Sequence, residues 1–278
     1  MGKRHDRISA RQLGALALCA AGVPIFRLCC RVHWLWTLAG AVAACLMLSG
    51  LSWLLNRQDR TRPKSSHWRG ALAPFLLGGA ALAAWVGSFA FPETAGNGLA
   101  ALLIFGLAIW AARIGPAAVG RCAGILLWVT GMLYGVVLLF SVPQMQSRWL
   151  LPGPGGPTDA LLVWAGLSVP GVALCLHGAL GSDQKLPHWP WWSAGSLAVV
   201  AAAVTGGILS PPLATEREAF RTLARGVSVL GVMRRFEALV NGAMLMSAFS
   251  LCALLLTAAV LLWSGSRRET ERTRNQTK

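Results

Sequence analysis

The sequence predicts an all-α polytopic membrane protein of about eight transmembrane helices, with the first and sixth broken near their middles. Three observations carry this. Hydrophobic residues make up 55% of the 278 and charged residues only 13%, a composition foreign to soluble domains. Eight segments approach the length of about 20 apolar residues needed to cross the hydrocarbon. Two of those segments carry matching Gly/Pro sites, Gly22-Val23-Pro24 and Ser168-Val169-Pro170-Gly171. Proline lacks a backbone donor and crowds the preceding turn, so each site is expected to interrupt its helix.

Taken in order, the spans are expected at 12–28, 32–55, 70–91, 97–112, 117–142, 160–180, 189–209 and 238–263, forming one domain over 1–263 with a basic cytoplasmic tail at 264–278. A basic start ahead of Leu13–Ala21 also has the outline of a signal peptide. Leu18 stands before Cys19, where a lipoprotein site would have a small residue, and seven further spans make cleavage unnecessary. Residues 56–69 read as an irregular basic loop interrupted by Pro63. The fifth span carries Gly120, Gly124, Gly131 and Gly135 along one stripe, expected to serve close helix packing. Between the seventh and eighth spans, an external amphipathic segment at 210–237 starts after Pro211-Pro212. Phe220, Leu223, Val227 and Leu230 lie on one face, and Arg217, Arg221 and Arg225 on another, as in a helix lying on the outer surface.

The net charge of +15 is distributed by topology. With the N-terminus inside, seventeen of the 25 Lys and Arg fall on the cytoplasmic side, which places both termini in the cytoplasm. No aromatic-interleaved basic stripe accompanies the charge, so nucleic acid is not an expected partner. Membrane lipids are. Of thirteen tryptophans, Trp34, Trp36, Trp53, Trp68, Trp149, Trp189, Trp191, Trp192 and Trp263 lie near span ends, as interfacial anchors do. The seven cysteines lie in or beside apolar spans without a CxxC, and read as small buried hydrophobes.

The chemistry of an enzyme is missing from the pattern. The spans hold no paired carboxylates, no GxSxG, no Walker loop and no HExxH, and neither a metal nor a cofactor is expected. Glu237, at the outer edge of the last span, is expected to pair with Arg234 or Arg235, or to act as a gate or polar contact. His177, in the second half of the sixth span, is an intramembrane polar contact or a residue approaching the interface. At the two breaks, freed N–H and C=O groups could hold the carboxylate and ammonium of an amino acid. Gly22, Val23, Pro24, Gly166, Ser168, Val169, Pro170 and Gly171 are therefore the candidate ligand-binding residues, the small ones permitting close backbone approach.

These motifs resemble the spore germination permeases, the membrane B subunits of nutrient germinant receptors in the amino acid–polyamine–organocation superfamily. Ile8-Ser9 followed by Gln12 is similar to that family's opening. AARIGPAAVGR, with Arg113, Gly115 and Arg121, is similar to its fourth-to-fifth-helix junction, and Leu150-Leu151-Pro152 to its turn after the fifth span. Leu223-Ala224-Arg225, Val227-Ser228 and Arg235-Phe236-Glu237-Ala238-Leu239 resemble the segment entering its eighth helix. The resemblance implies a LeuT-like fold, a small nutrient such as an amino acid as ligand, and a site in the spore inner membrane or bacterial cell membrane. It also implies an A-type subunit and a C-type lipoprotein as partners. The family has ten helices; this chain ends with its basic tail after the eighth, shortens the first connection to Arg27–Arg31, and has His33 and Trp34 where an acidic residue is expected. Ligand recognition is then altered, or another subunit completes the fold. Two other functions fit the same residues: an ion-coupled transporter of amino acids or organic cations, and a non-binding membrane scaffold.

Overall fold

A computed structural model describes residues 7–57, 68–88, 97–146, 150, 155–180, 184–209, 219–226 and 237–276. The side chains of 68–71, 97, 178 and 264–276 are not described. Most of the basic loop with Pro63 lies outside the described residues, as do Trp149, Leu151-Pro152, Pro211-Pro212, Arg217, Val227-Ser228, Leu230 and Arg234-Arg235-Phe236. The described chain is helical, with no strand beyond a single bridge between Ile8 and Leu180.

The helices are α1 (Ala10–Arg27), α2 (Trp34–Arg57), α3 (Trp68–Ser88), α4 (Asn97–Ile114), α5 (Pro116–Ser141), α6 (Pro157–Ser168), α7 (Trp189–Ile208), the short α8 (Ala219–Gly226) and α9 (Glu237–Gln276). Tight 3₁₀ turns follow α1 at Cys29–Arg31 and α5 at Val142–Gln144, and a longer 3₁₀ stretch, Val169–Ala179, continues α6. Six of these helical stretches are long and apolar enough to cross a membrane: α1, α2, α5, α6 with its 3₁₀ continuation, α7 and α9. That is the make-up of an integral membrane protein. The apolar stretches Leu72–Ser88 and Gly98–Ile114 of α3 and α4 are shorter. The last helix runs on to Gln276 rather than ending at 263, since its polar tail offers no proline to stop it.

Local chemistry sets the helix ends. Ser9 and Gln12 close a capping box on α1: the Gln12 N–H donates to Ser9 Oγ at 3.2 Å, and the Ser9 N–H to Gln12 Oε1 at 3.0 Å. Ile8 beside them is fully buried, and its N–H donates to Ala179 O at 3.0 Å. Between α4 and α5 the chain turns on Gly115, whose φ of 119° is open to glycine and strained for other residues.

Packing falls into two groups. α2 lies against α6 and α7, whereas α3 and α4 lie against α9 and each other. α1 sits between them, touching α5, α7, α9 and the 3₁₀ half of the sixth span. Its most apolar window is 83% buried, against 28–67% for the other five long helices, so α1 is the axis of the bundle. Small residues make this possible. A Cβ on Gly14 would stand 2.6 Å from the Trp189 ring, and one on Gly22 2.4 Å from Ser247 Oγ.

Four expectations need correction. The helix is not broken at Gly22-Val23-Pro24: α1 passes through Pro24, and the ladder resumes with Leu28 N–H donating to Pro24 O at 3.0 Å. Pro24 is buried one turn from the helix end, where it removes one N–H from the ladder without ending the helix. Of the glycine stripe on α5, Gly120 packs on Ile8 and Gln12, but a Cβ on Gly124, Gly131 or Gly135 would meet nothing within 4 Å. Those three lie toward the outside of the bundle because the buried face of α5 runs through Ala123, Thr130, Tyr134 and Val137. Trp191 is no interfacial anchor; it is buried, and its Nε1–H donates to Ser52 Oγ at 3.0 Å, bonding α7 to α2. Cys122 and Cys175 are exposed, on outward faces, while the other five cysteines are buried.

Candidate functional site

Five buried side chains with polar atoms meet along one seam. α1 contributes Cys19, α5 contributes Thr130 and Tyr134, and α9 contributes Ser247 and Ser250. Each pair is spaced three or four residues apart, so each helix presents both members on one face. Tyr134 Oη lies 3.5 Å from Ser247 Oγ, Ser250 Oγ donates to Cys19 Sγ at 3.1 Å, and Cys19 Sγ is 3.8 Å from Thr130 Oγ1. The hydroxyls also bond back along their own helices, Thr130 to Leu126 O at 2.7 Å and Ser250 to Met246 O at 2.9 Å. Gly22 backs onto this seam, its missing side chain leaving room for Ser247. The cluster is neutral and rich in oxygen. It can hold a polar group or a cation through lone pairs, but it has no group suited to moving a proton at neutral pH.

Aromatic rings cover the cluster at one end. Phe26 stacks on Tyr134 with centroids 3.8 Å apart, and Phe220 lies 4.4 Å from Phe26 and edge-on to Tyr134 at 6.0 Å. Phe220 belongs to α8, whose faces divide as the sequence predicts. Phe220 and Leu223 enter the core, while Arg221 and Arg225 turn to Glu237 at the start of α9. Arg225 donates from Nε to Glu237 Oε2 at 2.7 Å and from Nη2 to Oε1 at 2.8 Å, and Arg221 donates from Nε to Oε1 at 2.5 Å. α8 is therefore docked on the helices by its apolar face. Glu237 has Arg221 and Arg225 as described partners; the expected Arg234 and Arg235 lie outside the described residues. Beside the aromatic stack is a groove lined by Phe26, Arg27, Phe220, Arg221, Val240, Asn241 and Met244, with a cavity volume of about 20 Å³.

Gly166, two residues before the second Gly/Pro site, meets Pro24 of the first, though not around a ligand-sized space. A Cβ on Gly166 would lie 3.4 Å from Pro24 Cβ and 2.6 Å from Leu28 Cδ2, so the sixth span packs on the end of α1 at this point. Val23 and Pro24 are buried, whereas Val169 is exposed. Ser168 Oγ donates to Trp164 O at 2.6 Å within its own helix. Gly171 meets Leu48 of α2. Pro170 lines a void of about 10 Å³ with Ala17, Ala21 and Leu167, room for one water at most. His177 is half-buried in the 3₁₀ stretch, where its C=O accepts from Leu180 N–H at 3.2 Å. It belongs to the end of the bundle that holds Ile8 and Leu180, away from the hydroxyl seam. Among the described residues, no three His, Cys, Asp or Glu side chains group as metal ligands.

The sequence reading passes over Thr130, Tyr134, Ser247 and Ser250. A signal was present: hydroxyl residues at helical spacing inside otherwise apolar spans. Which spans share them is a long-range fact that spacing within one helix does not hold. With this geometry in hand, the chain is an all-α integral membrane protein with an enclosed first helix; it matches no known family model and no curated protein.

Proposed function

We propose that this chain is the membrane subunit of a spore nutrient germinant receptor, a germination permease with a LeuT-like arrangement. It binds a small nutrient, an amino acid in the first instance, and signals through an A-type subunit and a C-type lipoprotein. The observation that carries the reading is the enclosure of α1 between two helix groups, with buried hydroxyls along one of its sides. Membrane proteins that bind solutes at mid-bilayer place their sites between such groups, which can rock against each other. The ordered motifs add to it. The change of winding at Ser168 supports a discontinuous sixth span, and α1, unbroken at Pro24, lends no support to a discontinuous first one. Both termini are read as cytoplasmic from the charge asymmetry. Spores lacking the gene are expected to lose their response to at least one nutrient. Unchanged responses to every nutrient tried, with no paralogue present, would overturn the proposal.

A transporter is the second reading, favoured by the oxygen-rich seam of Thr130, Tyr134, Ser247 and Ser250, which could hold a coupling cation without a carboxylate. Uptake of an amino acid into vesicles containing the purified chain, driven by an ion gradient, would select it.

A further inference from the structure

At the end of the bundle that holds Ile8 and Leu180, hydrogen bonds between separate segments set three exposed cations close together. The Ala10 N–H, an orphan donor in the first turn of α1, donates to Gln184 Oε1 at 2.5 Å. Two residues on, Leu186 is tied to the end of α2. Its N–H donates to Asn56 Oδ1 at 2.8 Å, and its C=O accepts from Asn56 Nδ2 at 3.2 Å. Lys185 stands between the two ties, Arg11 is one residue from the first, and Arg57 is one residue from the second. All three are exposed. The sequence segments that carry them, 1–11, 56–69 and 181–188, hold ten Lys and Arg against three Asp, and the tail from 264 adds five against two Glu. Pairing every one of these acids would still leave cations over.

Indole rings flank the cations. Arg57 Cζ lies 3.8 Å from the centroid of the Trp53 ring, one turn back on α2. Trp53 and Trp192 each follow one member of the Ser52–Trp191 hydrogen bond, so they stand at the same height on α2 and α7. They are 49% and 47% exposed, while Trp191 between the helices is buried. Half-exposed indole beside cations is the make-up of a membrane–water interface. The charge asymmetry of a membrane protein asks only for basic residues on one side. It does not ask that one be held over a ring and another pinned between two ties.

We propose that this patch binds the headgroup of an anionic phospholipid in the adjoining leaflet. The phosphate seats on Arg57 and Lys185, Arg11 adds its charge nearby, and the acyl chains run from Trp53 and Trp192 along the apolar sides of α2 and α7. A guanidinium held over a ring keeps its in-plane N–H donors for oxygen ligands, which suits a phosphate. A zwitterionic lipid brings its own ammonium to the same place, where it is repelled, so lipids of net negative charge are selected. The bound headgroup joins the start of α1 to α2, across the segment that both already contact. The proposal goes beyond the receptor reading and does not depend on it.

The test titrates the purified full chain, in an uncharged detergent, with phosphatidylglycerol and with phosphatidylcholine, and counts retained lipid by native mass spectrometry. Phosphatidylglycerol is expected to be retained at concentrations where phosphatidylcholine is not. Arg57→Gln and Lys185→Gln should each weaken its retention about fivefold, and the double variant about 25-fold. Arg113→Gln, which removes an exposed charge at the turn between α4 and α5, should change nothing. Melting temperatures without added lipid should match the wild type, since the substituted side chains are exposed. Equal retention of both lipids, or the same loss in Arg113→Gln as in Arg57→Gln, would overturn the proposal. So would displacement of the lipid by millimolar glycerol 3-phosphate, which would assign the patch to free phosphates. Wild-type lipid retention in a double variant that assembles poorly with the proposed partner subunits would assign it to a protein, and would overturn the proposal too.

Discussion

The same dipeptide, Val-Pro, stands in the first and sixth spans, and the two helices treat it differently. At Val23-Pro24 the α-helix passes through and closes three residues later at Arg27. At Val169-Pro170 α-winding stops, and the chain runs on as 3₁₀ helix to Ala179. The residues that follow are one difference. Ile25 and Phe26 are fully buried and hold α1 in place, while Gly171 has no side chain to pack and a poor helix propensity. The new winding then suits its surroundings. Pro170, Ala173 and Leu176 are buried at steps of three while Val169 and Cys175 are exposed, the pattern of a 3₁₀ helix in which residues three apart eclipse. A proline marks a place where a helix can be interrupted; its neighbours decide whether it is.

The largest effect that could break this comparison is expected at Gly22. In Gly22→Leu the new Cβ would stand 2.4 Å from Ser247 Oγ and 3.0 Å from Ser247 Cβ, with the rest of the side chain still to place. Overpacking of this kind costs about 1–3 kcal/mol and occasionally more, and here at least the upper figure is expected. Loss of the protein from the membrane fraction, or a large drop in its detergent melting temperature, is the readout. Wild-type abundance with a lost nutrient response would instead mean that Gly22 faces ligand space. Gly166→Leu should be milder, about 1–2 kcal/mol, because its nearest contact is a movable methyl group of Leu28.

How much of this was legible beforehand divides along the same line. The helices of the described chain lie over the apolar segments, because the solvent preference of about 20 consecutive residues is a local property. The two faces of α8 were legible for the same reason, whereas Ser9, Gln12 and Gly115 stood out only by resemblance and not as a cap and a turn. Facts belonging to pairs of helices were not. Gly131 reads like Gly120 in sequence, yet one faces open space and the other Ile8. Ser247 carries no mark that it will meet Tyr134, 113 residues away. Glu237 carries no mark that it will pair with Arg225 and Arg221, twelve and sixteen residues upstream on another helix.

Proline replacement sharpens the contrast by sign. Pro24→Ala restores an N–H to the α1 ladder at the loss of some buried ring surface, and a net gain of about 1 kcal/mol is expected. Pro170→Ala frees α-winding to continue past Ser168. In an α-helix each step of three rotates about 60° short of a full turn, which would draw Ala173 and Leu176 off their buried line. A loss of about 1 kcal/mol is expected there. Melting temperatures of the two variants moving in the same direction would show that the prolines are equivalent after all. Ser168→Ala should do less, about 0.5 kcal/mol, since among the described residues its hydroxyl bonds only to Trp164 O within its own helix. A shifted nutrient dose-response in that variant, with unchanged melting, would return Ser168 to the ligand.

The smallest effect is expected at Gly131, and it separates packing within the chain from packing against another. The glycine stripe suggests that Gly131→Leu should pry α5 from a neighbour, yet nothing lies within 4 Å of the position its Cβ would take. Leucine is a better helix former than glycine by nearly 1 kcal/mol in water, but in a bilayer the helix has no solvated alternative, so most of that gain is lost. The melting temperature of the isolated chain should therefore move by no more than about 0.5 kcal/mol equivalent. Exposed Trp128 and Met132 beside the stripe show that a bulky side chain is tolerated on this face. If Gly131→Leu leaves the isolated chain intact but lowers its abundance when it is expressed with the proposed partner subunits, the open glycines belong to a helix contact between proteins. A fall in the isolated chain's stability would instead return α5 to the packing first expected of it.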